Sequence, residues 1–186
     1  MTGHHLVMGT LTDYLSGGLL EDTHDERYRQ KLARLLVEEK GYGKPEILSR
    51  HKLFVQAGTR KAVIRVDFLI TILNKKCMLI KYAPGSIVTR RRSALAISRL
   101  VSGFQVPIVV VTNGLDAEIV SGSTGDVMST GLHSIPSRDE LVKIRNTHLW
   151  HPVSKDRAGR ESRIAYAYEV DDACPCDETI CRINES

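Results

Sequence analysis

Apolar residues follow a helical period in four parts of the chain. After Thr23 they recur at i, i+4, i+7 and i+8, as Tyr28, Leu32, Leu35 and Leu36, which places them on one helical face. The pattern Thr23-x-x-Glu26 is a capping box, and it predicts a helix that ends near Gly41. The other predicted helices cover 93–101, the segment from a second capping box at Ser137 toward Arg145, and about 156–169.

Short apolar runs between turn residues predict strands. The run from Ile108 to Val111 is continuously apolar, which is typical of a strand covered on both faces. The predicted strands are 52–57, 61–73, 77–82, 108–111 and 117–120. The order of one helix, three strands, one helix, two strands and then helices predicts an α/β fold, with a mixed β-sheet flanked by helices and a helical C-terminal extension.

Length and composition limit the organisation. With 186 residues, 42% of them hydrophobic, the chain forms one substantial core. We divide it into an arm of low definition over 1–21, a central domain over 22–135, and a helical extension over 136–186 with an acidic, cysteine-containing tail. The longest apolar runs are far shorter than the roughly 20 residues that span a bilayer, and no signal-peptide pattern is present. We therefore expect a soluble, cytoplasmic protein with reduced cysteines and no membrane partner.

The net charge of +4 conceals an uneven distribution. Residues 47–115 contain twelve basic residues and one acid, Asp67, so this segment carries +11 and the remainder −7. Like charge concentrated in a foldable segment favours a surface that faces a polyanion. The alternative is a solvated basic rim without a partner.

Several stretches, taken in order, resemble one family. They are Asp25 to Leu32 with Leu36 to Tyr42, then Arg65 to Ile70, then Lys81-Tyr82-Ala83-Pro84-Gly85 and Val110-Val111-Thr112-Asn113-Gly114. Together they resemble the N-terminal domain of type I restriction enzyme R subunits over about residues 22–122. That domain has the PD-(D/E)xK nuclease fold, so the resemblance implies a restriction-endonuclease-like architecture, DNA as a partner and other restriction-system subunits as possible partners.

The resemblance also implies a metal-dependent site. In this family a strand aspartate binds a divalent cation such as Mg²⁺, and the next strand carries Glu-x-Lys. The glutamate is a second oxygen ligand of the kind that hard cations prefer, and the lysine helps to activate water. Asp67 matches the aspartate, and Glu26 matches an acidic position on the first helix. The alternatives are an ordinary salt-bridged carboxylate for Asp67 and a capping role for Glu26.

The second half of the motif departs from the family pattern. Ile80 stands at the glutamate position and Tyr82 at the lysine position. Lys81 should face away from Ile80, because successive strand side chains alternate between faces, unless a one-residue bulge brings it back. We therefore expect a catalytic set limited to Asp67, Glu26 and Lys81, with cleavage impaired or lost.

Five basic residues are candidates for phosphate contacts. Such contacts give salt-sensitive, sequence-independent binding of double-stranded DNA. An aromatic content of only 5% argues against a surface that stacks bases. The candidates are Arg90, Arg91 and Arg92, which precede the second predicted helix, and Arg65 and Lys61 on strands.

The C-terminal tail has a different chemistry. Cys174, Cys176 and Cys181 have Cys-x-Cys-x4-Cys spacing, and three thiolates could bind Zn²⁺ or act in redox chemistry. Cys77, His148 or His151 would supply a fourth ligand. The alternative is a set of inert thiols, with Cys77 as a small core residue.

Three hypotheses follow from these patterns. The first is a nuclease-fold domain that binds DNA and cleaves it poorly or not at all. The second is an active Mg²⁺-dependent endonuclease whose ligands have migrated. The third is a non-catalytic interaction module with a metal-binding or redox-active cysteine tail.

Overall fold

A computed structural model describes residues 7–171 and 180–183. The helices in this part of the chain are α1 (His24–Arg34), α2 (Ile87–Ser98), α3 (Arg138–Thr147) and α4 (Lys155–Tyr166). The strands are β1 (Thr10–Thr12), β2 (Leu19–Glu21), β3 (Ile47–Ala57), β4 (Arg60–Ile72), β5 (Lys75–Tyr82), β6 (Ile108–Thr112), β7 (Ala117–Ser121), β8 (Val127–Thr130) and β9 (Cys181–Ile183). Helices α1 and α4 continue as π-helical turns over Leu35–Glu39 and Ala167–Asp171.

A mixed sheet of seven strands forms the centre of the described structure. Its order is β3-β4-β5-β6-β7-β8, and β9 pairs with the first half of β4. The β5–β6 pair is parallel, whereas the other neighbouring pairs are antiparallel. The central strand β6 is buried along its whole length, as its apolar run predicts. These features confirm an α/β fold of the restriction-endonuclease-like type with a helical C-terminal extension.

Helices cover both faces of this sheet. On one face, the apolar side of α1 packs with Leu141 of α3 over β4, β5 and β6. On the other face, residues 94–97 of α2 pack with Ala165 and Tyr166 of α4. Helices α1 and α3 bury one stripe of side chains, whereas α2 is buried on all sides over residues 93–98 because it lies between the sheet and α4. The C-terminal extension is therefore part of the same core as the central domain.

Strand β4 passes from one core layer to the other at Asp67. Its alternate apolar residues from Ala62 to Val66 pack under α2 and α4, whereas those from Phe68 to Ile72 pack under α1 and α3. On β3 the register is interrupted at Arg50, between Ser49–Phe68 and His51–Val66. Arg50 has a φ of 52°, a left-handed conformation that is uncommon for a residue other than glycine. The β3–β4 ladder is therefore irregular at this position, and Asp67 lies where β4 changes from one core layer to the other.

Three expectations about secondary structure are wrong. The arm is structured from residue 10, because β1 and β2 form an antiparallel hairpin. Helix α2 begins at Ile87, so the three consecutive arginines lie within it rather than before it. Strands β8 and β9 have no counterpart among the predicted strands; they are mostly exposed, so they lack the apolar pattern that marks a buried strand.

No helix within residues 7–171 or 180–183 is both long enough and apolar enough to cross a membrane.

Candidate functional site

The candidate site lies where β4 and β5 diverge. The two strands pair up to Phe68 opposite Ile80, and the next step would join Asp67 and Lys81. There the backbone ladder stops, and the backbone N–H of Tyr82 donates to Oδ2 of Asp67 at 2.9 Å. The carboxylate of Asp67 therefore takes the place of a backbone acceptor for Tyr82. Asp67 is only 7% exposed, so this hydrogen bond lies inside the sheet.

Arg29 on α1 binds the other oxygen of this carboxylate. Its Nε donates to Oδ1 of Asp67 at 2.7 Å, and its guanidinium lies 5.2 Å from the centre of the Tyr82 ring. Burial lowers the pKa of Arg29, but Asp67, Glu26 and Asp25 together raise it by more, so the net pKa is above its usual value. Both oxygens of Asp67 therefore have donors, one of them a full positive charge.

Glu26 lies beside this pair. Thr23 caps α1 as predicted, accepting from the Glu26 N–H at 3.1 Å. The Glu26 carboxylate, however, accepts from Gln30 at 2.8 Å and from Arg50, so the capping role proposed for this side chain is wrong. Its Oε2 is 3.9 Å from Nη1 of Arg29. The structure thus brings Glu26 and Asp67 together around one guanidinium.

Asp13, from the β1–β2 hairpin, is a further member that sequence reasoning missed. It is 3% exposed, accepts from Gln30 at 2.8 Å and lies 3.6 Å from Nη1 of Arg50. Burial raises the pKa of Asp13, but hydrogen bonds from Ser16 and Gln30 and the charge of Arg50 lower it by more. We call Asp13, Glu26, Asp67, Arg29 and Arg50 the carboxylate–guanidinium cluster.

The two motif positions that depart from the family are both buried on the α1 side. Ile80 is fully buried in the core under α1. The Tyr82 hydroxyl donates to Asp25 at 3.2 Å, and its ring stacks on Tyr28 at 5.9 Å. Gly114, with a φ of 87°, comes so close that a Cβ there would lie 2.6 Å from the Tyr28 ring. These contacts hold Tyr82 as a packing residue.

Lys81 faces the opposite layer from Ile80, as strand alternation predicts. Its Nζ lies 2.6 Å from Oε2 of Glu169, and Ser93 donates to the same carboxylate. Burial lowers the pKa of Lys81, but Glu169 and then Asp67 raise it by more, and the net pKa is above its usual value. The side chain of Lys81 thus points away from Ile80, as expected without a bulge, and an acid of the C-terminal extension binds it.

These residues do not fit a divalent cation. Asp67 has both oxygens hydrogen-bonded, the position of the second ligand holds apolar Ile80, and Glu26 is paired with Arg50. Within the described ranges, no group of three or more histidine, cysteine or acidic side chains is arranged to hold a metal. A hard cation requires several free oxygen ligands, whereas here the carboxylate oxygens already accept hydrogen bonds from Arg29, Arg50 and the Tyr82 N–H.

The predicted zinc or redox ligands are largely separate from this site. Cys174 and Cys176 lie outside the described residues, and Cys181 is an exposed free thiol on β9. Cys77 is a core residue, as one alternative held, and burial raises its pKa to about 11. His148 contacts the backbone oxygen of Gln105 at 3.3 Å, and His151 is exposed.

The three arginines of α2 are turned toward other parts of the protein. Arg91 forms two bonds of 2.8 Å to Glu118 on β7, and Arg92 donates to Glu161 on α4 at 2.8 Å. Glu161 also accepts from buried Arg99 at 2.6 Å. Arg90 makes a long contact of 3.5 Å to the backbone oxygen of Tyr168. The guanidiniums expected to bind DNA thus include two that the fold already neutralises.

The two strand candidates lie on the β3–β4 hairpin. Arg65 is exposed and stands opposite Lys52 of β3. Lys61 is half-buried and stands opposite Gln56. This surface is separated from the α2 arginines by the layer formed by α4, since α4 packs against β3 and α2.

Comparison with known proteins gives one match. Residues 24–136, more than half of the chain, match the family model described as type I restriction enzyme R protein N terminus. Neither the curated proteins nor the solved structures gave a match. The matched range contains α1, strands β3 to β8 and α2, and it ends before α3 and α4.

Proposed function

Because the chain belongs to the family of type I restriction enzyme R protein N-terminal domains, we propose that it is a DNA-binding domain of nuclease fold whose cleavage activity is impaired or lost. The observation that carries this proposal is the Arg29–Asp67 pair. The one acid within the basic segment has a guanidinium on one oxygen at 2.7 Å and a backbone N–H on the other at 2.9 Å.

Phosphodiester cleavage requires an activated water and a centre that neutralises the charge developing on phosphate. In a metal-dependent nuclease a cation held by carboxylates does both. Here each carboxylate of the cluster forms an ion pair with Arg29 or Arg50, and Tyr82 and Ile80 replace the family's lysine and glutamate. A guanidinium can steady a phosphate, but it cannot lower the pKa of a bound water as a metal does.

Binding to DNA is supported by the charge of the central segment. Residues 47–115 carry a charge of +11, and several of these cations are exposed on the β3–β4 hairpin. Contacts of this kind neutralise phosphates without regard to sequence. The family relationship also suggests that the domain works beside other subunits of a restriction system, which would supply the motor and the sequence recognition.

One observation favours a second candidate, an active endonuclease with a migrated ligand set. Lys81 stands one ladder step beyond the last β4–β5 pair, opposite Asp67, and Asp67 raises its pKa. A lysine in this position would be suited to the role that Tyr82 cannot perform. Glu169, 2.6 Å from Lys81, would then replace the missing strand glutamate.

Two assays on the same protein separate these candidates. The first is nicking of supercoiled plasmid in Mg²⁺ or Mn²⁺, with Asp67→Ala as the variant. We expect no nicking by either protein; metal-dependent nicking that Asp67→Ala abolishes would overturn the loss of cleavage and support the second candidate. The second is duplex binding across a salt series in EDTA. We expect affinity to fall steeply with salt, and undetectable or salt-independent binding would overturn DNA binding.

A further inference from the structure

The β3–β4 hairpin has one buried face and one open face. Its inward side chains, including Leu53, Val55 and Ile64, are buried under α2 and α4. The alternate side chains point the other way, and β9 extends this ribbon along the first half of β4. We call the second set the outer face of the hairpin. Its cross-strand pairs are Lys52 with Arg65, Phe54 with Val63, and Gln56 with Lys61.

Lys52 and Arg65 are like charges placed directly opposite each other. Both are exposed, and neither side chain forms a hydrogen bond or an ion pair with any residue in 7–171 or 180–183. Like charges in this position destabilise a strand pair. An anion bound between them would offset this repulsion by attracting both cations. A phosphate is the anion that suits an Arg and a Lys side by side.

Phe54 lies one step further along the same face. It is 51% exposed, and its cross-strand neighbours are Val63 and, beyond it, Cys181 of β9. These neighbours are too small to cover an aromatic ring. Aromatic residues are only 5% of the chain, which argues against an extended stacking surface but not against one exposed ring. A half-exposed phenylalanine beside two cations is the combination by which proteins hold a single nucleic-acid strand, with a base on the ring and its phosphate on the cations.

The outer face leads directly to the carboxylate–guanidinium cluster. Arg50 and Asp67 each lie two residues along their strands from Lys52 and Arg65, where the register is interrupted between His51–Val66 and Ser49–Phe68. The distance along the strands is about 7 Å, since each residue advances about 3.3 Å. The chain therefore presents an aromatic ring, a pair of cations and the cluster in one line. A nucleic-acid strand bound along this line would run from the tip of the β3–β4 hairpin to the gap between β4 and β5.

We propose that the outer face of the hairpin binds single-stranded DNA, with a phosphate between Lys52 and Arg65 and a base stacked on Phe54. A single strand fits better than a duplex, because bases in a duplex are already stacked on both sides and offer no free face to Phe54. The inference rests on the proposed function only in taking DNA as the partner. It names a different form of DNA and a surface that the α2 arginines do not share.

The test is fluorescence anisotropy with a labelled 12-nucleotide oligothymidine and, in parallel, a labelled duplex, each across a salt series in EDTA. The variants are Phe54→Ala, Phe54→Leu and Lys52→Gln/Arg65→Gln. The control is Arg160→Gln/Arg163→Gln, which removes the same charge from exposed positions of α4 that form no ion pair with the described residues. Phe54→Leu keeps an apolar side chain without the ring, so it decides the result if the alanine variant unfolds.

We expect Phe54→Ala and Phe54→Leu to weaken single-strand binding by about 5- to 100-fold with an unchanged salt slope. Lys52→Gln/Arg65→Gln should reduce the slope by about 0.7, because the one phosphate held between the two cations is lost, and the α4 control should not. Binding of the strand by both Phe54 variants within twofold of wild type would overturn the inference, as would an equal loss in the control. Duplex binding without single-strand binding would overturn the inference alone, and failure to bind either DNA would overturn the proposed function too.

Discussion

Arg91 and Arg92 on α2 and the pair Lys52 and Arg65 on the hairpin differ in what surrounds them. The α2 arginines each face a carboxylate from a distant element, Glu118 or Glu161. The hairpin cations face each other, and none of the described residues forms an ion pair with them. Both sets belong to the segment with a charge of +11.

The difference arises from how the C-terminal extension packs. Burial of Ala165, Tyr166 and Val170 holds α4 against α2, and this brings Glu161 and Glu169 next to Arg92 and Lys81. On the α2 side, acids of the same chain therefore neutralise the positive charge and contribute to stability. On the hairpin, Lys52 and Arg65 have no acid partner among residues 7–171 and 180–183, so their charge is available to a ligand.

The largest effect is expected from Glu161→Gln. Glu161 is 4% exposed and binds both Arg99, itself 6% exposed, and Arg92. Removing one partner leaves the buried Arg99 charge uncompensated, which costs about 3–5 kcal/mol in comparable pairs. Urea denaturation measures the change. If the unfolding free energy of Glu161→Gln is within about 1 kcal/mol of the wild-type value, the packing of α2 against α4 does not depend on the Glu161 ion pairs.

A matched double variant sharpens this prediction. Arg99→Met/Glu161→Gln removes the buried positive charge together with its partner, so we expect it to regain part of the stability lost in Glu161→Gln. A double variant that is less stable than the single one would show that Arg99 stabilises the protein by packing rather than by its charge.

The same carboxylate should impose a pH dependence. Burial raises the pKa of Glu161, but Arg92 and Arg99 lower it by more, so the folded pKa lies below the ordinary 4.5. The unfolded chain therefore takes up the proton first as pH falls. The stabilisation is complete above about pH 5 and is lost progressively below the ordinary pKa.

Urea denaturation at pH 7 and at several values below 4.5 tests this sign. The difference in unfolding free energy between wild type and Glu161→Gln should be largest at pH 7 and should shrink as the pH falls. A difference that stays constant or grows in acid would mean that Glu161 is not held as a paired carboxylate.

Local patterns predicted much of the fold. The capping residues Thr23 and Ser137 mark the starts of α1 and α3, and the apolar run of β6 marks the buried central strand. These signals lie within a few residues of the element that they specify. The short strand β9 lacks such a signal, because its place is fixed only by pairing with β4.

The candidate site was predicted less completely, because its contacts join distant segments. Asp67 and Glu26 were identified by the family motif, but Arg29 meets Asp67 across 38 residues and Glu169 meets Lys81 across 88. Asp13 enters the cluster only because the β1–β2 hairpin docks beside α1. No spacing rule covers such contacts, since they depend on how whole elements pack.

A smaller effect concerns the salt dependence of single-strand binding. Lys52→Gln should reduce the salt slope by up to about 0.7, because the phosphate loses one of its two cations. Arg91→Gln should leave it unchanged, because Arg91 is bound to Glu118 by two bonds of 2.8 Å. Anisotropy titrations of the two variants, which lose the same charge, provide the comparison. Equal slopes for both would mean that the pairing seen in α2 does not decide which cations bind DNA.

The smallest effect on stability is expected from Glu118→Gln. Arg91 is about one-third exposed in its side chain, so the ion pair with Glu118 is largely screened by water, and its loss should change the unfolding free energy by no more than about 1 kcal/mol. The same substitution releases Arg91, so the slope of duplex binding should steepen by up to about 0.9 if the freed side chain reaches a phosphate. Urea denaturation and a salt titration of duplex binding measure the two quantities on one protein. A loss of stability as large as that in Glu161→Gln would contradict the distinction between the exposed and the buried ion pairs of α2. A steeper salt slope of duplex binding at unchanged stability would show that the ion pair with Glu118 alone keeps Arg91 from DNA.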